Sequence, residues 1–359
     1  MALDPSSLDR QAAGGFARTL VGHLSSAMTV TMLELGARLG LLEALAGAPQ
    51  TTADLASRTG LQPRYVREWA ELLVTAGILV HDETAGTVVL PVEHAAALTL
   101  ATPYNLAGML AIATATAQSL PELETVFRDG GGIGYDRQRI DADAVMHQLS
   151  GNRYDALLVD SYLAQVPGLA RRLTAGARVL EIGCGQGHAA RLIGRSFPAS
   201  TVVGLDLSEA AVHSATAVAE EEGLDNTVFV QGDATDPPAG PWDVVCAFDV
   251  IHDLARPFDA LAAARGVLAD DGVLVMIDSG APPTLAERAD LPWAPMMYGV
   301  SIGHCMTVSL AQEGEGLGTM WGREGVLAAL AGAGFGPVAT YELKGDPMDL
   351  LYVAEPLLH

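Results

Sequence analysis

Between Arg178 and Ser208 the chain reads RVLEIGCGQGHAARLIG, six further residues, then TVVGLDLS. An apolar run stops at Ile182, and glycines follow at 183, 185 and 187. Apolar residues then recur at helical spacing, and a second apolar run ends at Asp206. Strand, glycine turn, helix and strand in so short a span make a right-handed crossover between parallel strands. The glycines let backbone approach a ligand where a Cβ would collide. Ligands in such sheets sit beyond the carboxyl ends of the strands, which is where Glu181, the turn and Asp206 lie.

The rest of the C-terminal half continues this pattern. Strands are expected at Val179–Ile182, Val202–Asp206, Val228–Gln231, Asp243–Phe248, Val273–Asp278, Val338–Leu343 and Leu350–Ala354, with helices between the early ones. Only KGDPMD separates the last two, too short for a helical crossover, so they pair antiparallel. The fold class is therefore α/β, with a Rossmann-like, seven-stranded, mostly parallel sheet and a C-terminal antiparallel hairpin. The N-terminal part is mainly helical. Apolar positions from Phe16 to Leu39 recur every three or four residues. From Thr51 to Pro91 a capped helix, a stop at Gly60, a helix opened by Pro63 and two short apolar strands spell a winged helix. The boundaries expected are 1–100 for a winged-helix dimerisation domain, 101–170 for a helical linker and lid, and 171–359 for the sheet domain. That last domain carries an insertion at about 282–322.

Composition excludes several classes. A net charge of −23 over 359 residues opposes a large nucleic-acid surface. The second helix of the winged helix carries Arg64 and Arg67, but also Glu68 and Glu71, so it is no basic stripe. A structural, dimer-forming role is the better expectation than DNA binding. No uncharged apolar run is long enough to span a bilayer, and the first residues lack a secretory pattern. A cytoplasmic homodimer without membrane contact is expected. The three cysteines are far apart, and adjacent His304 and Cys305 make a poor metal site, so no metal is expected.

The glycine turn separates two ligand types. A dinucleotide fingerprint places its third glycine where this chain has His188. Glu181 would repel a pyrophosphate but suits an α-amino group. In VLEIGCGQG, VVGLDLS, VQGDATD and FDVIHDL, each at a strand end and in order, the chain resembles the class I S-adenosylmethionine-dependent methyltransferases, specifically those with an N-terminal winged helix. LAGAGFGPV before the final hairpin also fits. The resemblance implies S-adenosylmethionine as cofactor. Glu181, Gly183, Cys184, Gly185 and Gly187 would line its methionine and ribose parts. Asp206, with Leu207, would hold the ribose hydroxyls. Asp233 and Ala234 would sit at the adenine, and Asp249 at the methionyl end.

Methyl transfer to a hydroxyl needs an aligned acceptor and a group to take its proton. In the small-molecule O-methyltransferases that this arrangement resembles, an HD pair after the fourth strand supplies the base. His252 and Asp253 stand in that place and are expected to be catalytic, although LARP follows where those enzymes often have tryptophan. The insertion concentrates Met297, Tyr298, His304, Cys305 and Trp321, which suits a largely apolar acceptor. His304 is a rival base. Tyr135, on a glycine-rich loop expected to move, and Tyr154 are expected to cover the site. The leading expectation is methylation of a small secondary metabolite. Two others remain: a winged-helix regulator with a degenerate fold, and a non-methylating rearrangement that uses the sulfonium charge.

Overall fold

The computed structural model describes residues 8–138 and 142–357. The chain divides into two compact units. One runs to Ala101 and includes Asn105–Thr114, and the other comprises Thr102–Tyr104 and everything from Ala115 onward.

The first unit opens with the helix Arg10–Arg38, whose Asp9 carboxylate accepts from the Gln11 and Ala12 amides. Thr51 caps Thr52–Thr59 in the same way, and Gly60 ends that helix with φ 70°. Pro63 starts Pro63–Thr75. Strands β1 (Val80–Asp82) and β2 (Thr87–Val89) form the antiparallel wing. Trp69 locks the first long helix onto this core. Its indole N–H donates to the Met32 carbonyl at 2.8 Å, and a Cβ at Gly36 would fall 2.5 Å from its ring. Arg64 pairs with Glu68 and Arg67 lies 4.0 Å from Glu71, so the arginines of this helix are matched by its own acids.

In the second unit seven strands lie in the order β5-β4-β3-β6-β7-β9-β8. They are β3 (Arg178–Ile182), β4 (Thr201–Asp206), β5 (Thr227–Gln231), β6 (Trp242–Phe248), β7 (Leu268–Ser279), β8 (Phe335–Leu343) and β9 (Asp346–Pro356). β3 to β7 are parallel, and β9 runs antiparallel to both β7 and β8. Both faces are apolar, and alternate residues sort between them. Val244, Cys246 and Phe248 pack with the helices Leu169–Gly176 and His188–Ser196. Val245 and Ala247 pack with Pro257–Val267 and Gly322–Gly332. The chain leaves β7 at Ser279 and reaches Gly322 through the helices Leu285–Ala289, Ala294–Gly303 and Cys305–Ala311.

The glycine-rich loop before Tyr135 packs against the helix Cys305–Ala311. The Ile133 amide donates to both the carbonyl (3.1 Å) and the hydroxyl (2.8 Å) of Thr307, and its side chain is buried. A Cβ at Gly132 would meet the Thr307 carbonyl at 1.9 Å, so only glycine lets the loop approach. Among the described residues no helix is long and apolar enough to cross a membrane.

Candidate active site

A cavity of about 540 Å³ opens at the carboxyl ends of β3, β4 and β6. Glu181, Gly183, Cys184, Gly185, Asp206, Leu207, Asp233, Ala234 and Asp249 all line it. Each element delivers its residue from a strand end, as the parallel topology dictates. Gly183, Gly185 and Gly187 have φ of 66°, 52° and 71°, a region costly for other residues. Their reasons differ. A Cβ at Gly183 would strike Val250 at 2.1 Å, whereas one at Gly185 would enter open space in the cavity. Gly187 does not line the cavity. A Cβ there would fall 2.3 Å from Phe229, so its place is in packing and not against a ligand.

The acids of this half differ in what they hold. Asp206 accepts from the Gly185 amide at 2.7 Å and the Ser208 amide at 2.9 Å, one per oxygen. Each oxygen keeps a further lone pair for a ligand hydroxyl. Glu181 is 3% exposed, and its Oε2 has no hydrogen-bond partner. Burial pushes its carboxyl up to about 8. Asp233 is bound by Thr235 and by Arg256 at 3.0 Å, which hold it below the usual carboxylate range despite some burial. Asp249, at φ 54°, accepts from Arg153 (2.9 Å) and the Tyr154 hydroxyl (3.0 Å). Arg153 also pairs with Asp346. Burial raises the Asp249 pKa against the pull of Arg153. Sequence alone did not reveal the Arg153–Asp346 pair, because 193 residues separate its members.

The opposite half of the cavity is walled by Tyr135, Tyr154, Asp253, His304 and Gln312. His304 is 4% exposed, its Nδ1 has no hydrogen-bond partner, and its ring meets Tyr135 edge-on at 5.7 Å. The Asp253 Oδ1 is likewise buried without a hydrogen-bond partner. His252 departs from expectation. It lies outside the cavity lining, with Nδ1 2.9 Å from Asp278 and Nε2 3.3 Å from Asp253. Burial opposes its charge, yet Asp278 and Asp253 hold its pKa well above the ordinary value. Each ring nitrogen of this imidazole thus faces a carboxylate.

Met297, Tyr298 and Trp321 also lie away from the cavity. Met297 is buried and accepts from Thr319 through its carbonyl. Tyr298 accepts from Arg288 at 3.1 Å. Trp321 donates to Asp278 Oδ1 at 2.7 Å, as does the Ser279 amide. A large apolar or aromatic side chain marks packing as readily as a pocket. The contacts of Asp278 are not legible in sequence, where it reads only as the end of a strand.

Residues 180–274 match the family model of a methyltransferase domain, and residues 26–100 match that of an Rv2258c-like winged HTH domain. The chain is 32% identical over 214 residues to nocamycin O-methyltransferase of Saccharothrix syringae, spanning 54% of this chain and 71% of that protein. It is 28% identical over 296 residues to acetylserotonin O-methyltransferase of Mus musculus, 74% of this chain and 75% of that one. Human N-acetylserotonin methyltransferase in complex with SAM superposes with a TM-score of 0.72 at 17% identity, covering 98% of this chain and 99% of the other. The protein thus belongs to the class I S-adenosylmethionine-dependent methyltransferases with an N-terminal winged helix, and S-adenosylmethionine is its cofactor.

Proposed function

We propose that the protein transfers the methyl group of S-adenosylmethionine to a hydroxyl of a small, largely apolar metabolite. The observation that carries this reading is a single cavity joining two sets of groups. Glu181, Gly185 and Asp206 come from the strand ends β3 and β4 and the turn between them, and Asp253, His304 and Tyr135 from the turn after β6, the insertion and the loop before Ala142. The first set fits the cofactor. Its unpartnered, buried Glu181 oxygen calls for a cation, the gap beside Gly185 admits a ligand, and Asp206 can take two hydroxyls. When bound, the cofactor supplies a methyl group on a sulfonium leaving group. The chain's own residues have three tasks. Glu181 and Asp206 fix the donor, the aromatic wall of Tyr135 and Tyr154 excludes water, and a base takes the hydroxyl proton. We assign the base to His304, which lines the cavity and whose buried Nδ1 has no hydrogen-bond partner, with Asp253 aligning the hydroxyl.

Two similar proteins are named for oxygen methylation, of nocamycin and of acetylserotonin, which supports oxygen as the target here. The first of these also favours a role in secondary metabolism. Phe16, Leu20, Leu24 and Met28 are exposed along the helix Arg10–Arg38, and we read this row as a homodimer surface in a cytoplasmic enzyme. The ion-paired arginines of the winged helix favour this over nucleic-acid binding.

The test is incubation with S-adenosylmethionine and a panel of phenols and polyketide-like alcohols, read by mass and by NMR of the new methyl group. Gain of one methyl on oxygen is expected, falling about 10²–10⁴-fold in His304→Gln. Methylation on nitrogen or carbon, or a product without mass gain, refutes the proposal.

A further inference from the structure

Charge is shared unevenly around the cavity. Carboxylates of Glu181, Asp206, Asp233, Asp249 and Asp253 line it. Among the described residues its lining holds one arginine, Arg256, and no lysine. Arg256 already pairs with Asp233 at 3.0 Å. Glu181 and Asp206 are matched to the ammonium and the hydroxyls of the cofactor. Asp249 and Asp253 are left.

Neither is neutralised from behind. Arg153 donates to Asp249 at 2.9 Å but also pairs with Asp346, which is buried. One guanidinium between two carboxylates leaves a negative charge over. Burial, with the charges of Asp249 and Asp346, pushes the nearby Asp349 carboxyl well above the ordinary carboxylate range, which records that excess. His252 stands between Asp253 (3.3 Å) and Asp278 (2.9 Å), and even a protonated imidazole would balance only one of them. The donor does not cancel the excess. Its amino-acid end carries one charge of each sign, so only the sulfonium adds a positive charge. A cleft lined by one sign of charge gathers the opposite sign and repels its own. The rest of the wall agrees, since Tyr135, Tyr154 and Phe248 line the same cavity and aromatic faces attract cations.

We propose that the acceptor is a cation, a phenol or alcohol that also bears an amine, and that the unbalanced carboxylates of the wall draw in its ammonium and turn carboxylic acids away. The inference rests on the reading of the protein as a hydroxyl methylase and narrows its substrate class. The chemistry stays on oxygen. An ammonium has no lone pair to offer, so the hydroxyl oxygen takes the methyl group, its proton passes to His304, and the carbon–sulfur bond breaks toward sulfur. Sequence hides this selectivity, because the formal charge of the whole chain says nothing of where cations are shared.

Three probes with one phenol test it. Tyramine, tyrosol and para-hydroxyphenylacetate carry an ammonium, a neutral hydroxyl and a carboxylate. Each is titrated calorimetrically into the full-length protein saturated with S-adenosylhomocysteine. Tyramine should bind tightest, tyrosol next, and the carboxylate about 100-fold or more weaker than tyramine, since like charges brought together in such a site are strongly penalised. Raising the ionic strength from about 0.01 M to about 1 M cuts the screening length from about 30 Å to about 3 Å and should narrow that gap severalfold. Asp346→Asn removes one carboxylate that shares Arg153 without touching the cavity lining, and should narrow it about tenfold. Circular dichroism and cofactor affinity check the fold of the variant, and the salt series on the wild type decides if that variant does not fold. A carboxylate or neutral probe that binds as tightly as tyramine, no binding of tyramine, or a gap indifferent to salt overturns the proposal. Methyl transfer to oxygen without this order of affinities would overturn the inference and leave the hydroxyl reading standing. The order without methyl transfer would do the reverse.

Discussion

Glu181 gives the sharpest test of how the cofactor half works. Its carboxyl is buried, has an unpartnered oxygen and titrates near 8 instead of 4.5. At pH 7 about nine-tenths of the free protein therefore holds a proton on Glu181. Burial thus opposes ionisation of this group in the folded chain. The sign follows from proton counting. Between pH 4.5 and 8 the folded state binds more protons than the unfolded one, so this group's contribution to stability falls as pH rises and levels off above 8. An arriving α-ammonium supplies the missing cation and favours the carboxylate. Cofactor binding near pH 7 should then release close to one proton. Affinity should rise about tenfold per pH unit below pH 7 and level off near pH 8, where the cofactor's own ammonium is lost. Calorimetry in buffers of different ionisation enthalpy measures the released proton directly. The amino acid end of S-adenosylmethionine titrates in the same range, at about 7.7–8.0. Glu181→Gln separates the two effects, since it removes only the protein's share. It should abolish the release at pH 7 and, without ligand, stabilise the protein at pH 9. Wild-type binding with no proton release at pH 7, or the same release in Glu181→Gln, would refute the reasoning.

Three further outcomes follow from particular contacts. Asp206→Ala removes an acceptor for two cofactor hydroxyls, and at about 1.5–3 kcal/mol for each charged hydrogen bond the dissociation constant should rise at least 100-fold by titration calorimetry. Arg153→Met leaves Asp249 and Asp346 buried without their cation, and should cost about 3–5 kcal/mol in urea unfolding. Gly185→Ala and Gly187→Ala separate ligand space from packing. The first should reduce cofactor affinity with a modest loss of thermal stability, and the second should lower stability more, through Phe229.

The sheet was legible because its signal is local. Each strand is a short apolar run bounded by turn residues, and the glycine turn requires left-handed backbone that few other residues adopt. The cofactor half of the cavity was legible for the same reason, since Glu181, Asp206 and Asp249 each end a strand. The other half was not. It is assembled from a loop at Tyr135, the turn at Asp253 and an insertion at His304, and no periodicity records which side chains of three distant segments meet. Composition then misleads. Trp321 and Tyr298 look like pocket walls, but one steadies Asp278 and the other accepts from Arg288. His252 shows a subtler limit. The HD pair locates the right turn, but only the position of Asp278, on β7, shows that Nδ1 is held by a second carboxylate.

His188 connects these two halves and carries a last prediction. It stands where a dinucleotide fold needs a third glycine, because a pyrophosphate forces helix and strand together there. Without a pyrophosphate that position can bear a side chain, and this chain uses it. His188 Nε2 lies 3.0 Å from Asp155 Oδ1, while the two preceding residues, Arg153 and Tyr154, bind Asp249. The helix Ala142–Leu157 is thereby fastened to two strand ends of the site at once, with Ser150 and Tyr154 on the cavity wall. Burial lowers the His188 pKa, so near neutrality the contact is mainly a hydrogen bond and not an ion pair. A double-mutant cycle of His188→Ala with Asp155→Ala should give a coupling of about 1 kcal/mol. Cofactor affinity should fall severalfold in either single variant. Changes in stability and affinity that simply add would mean that the two residues act apart, and that the helix is held by Arg153 and Tyr154 alone.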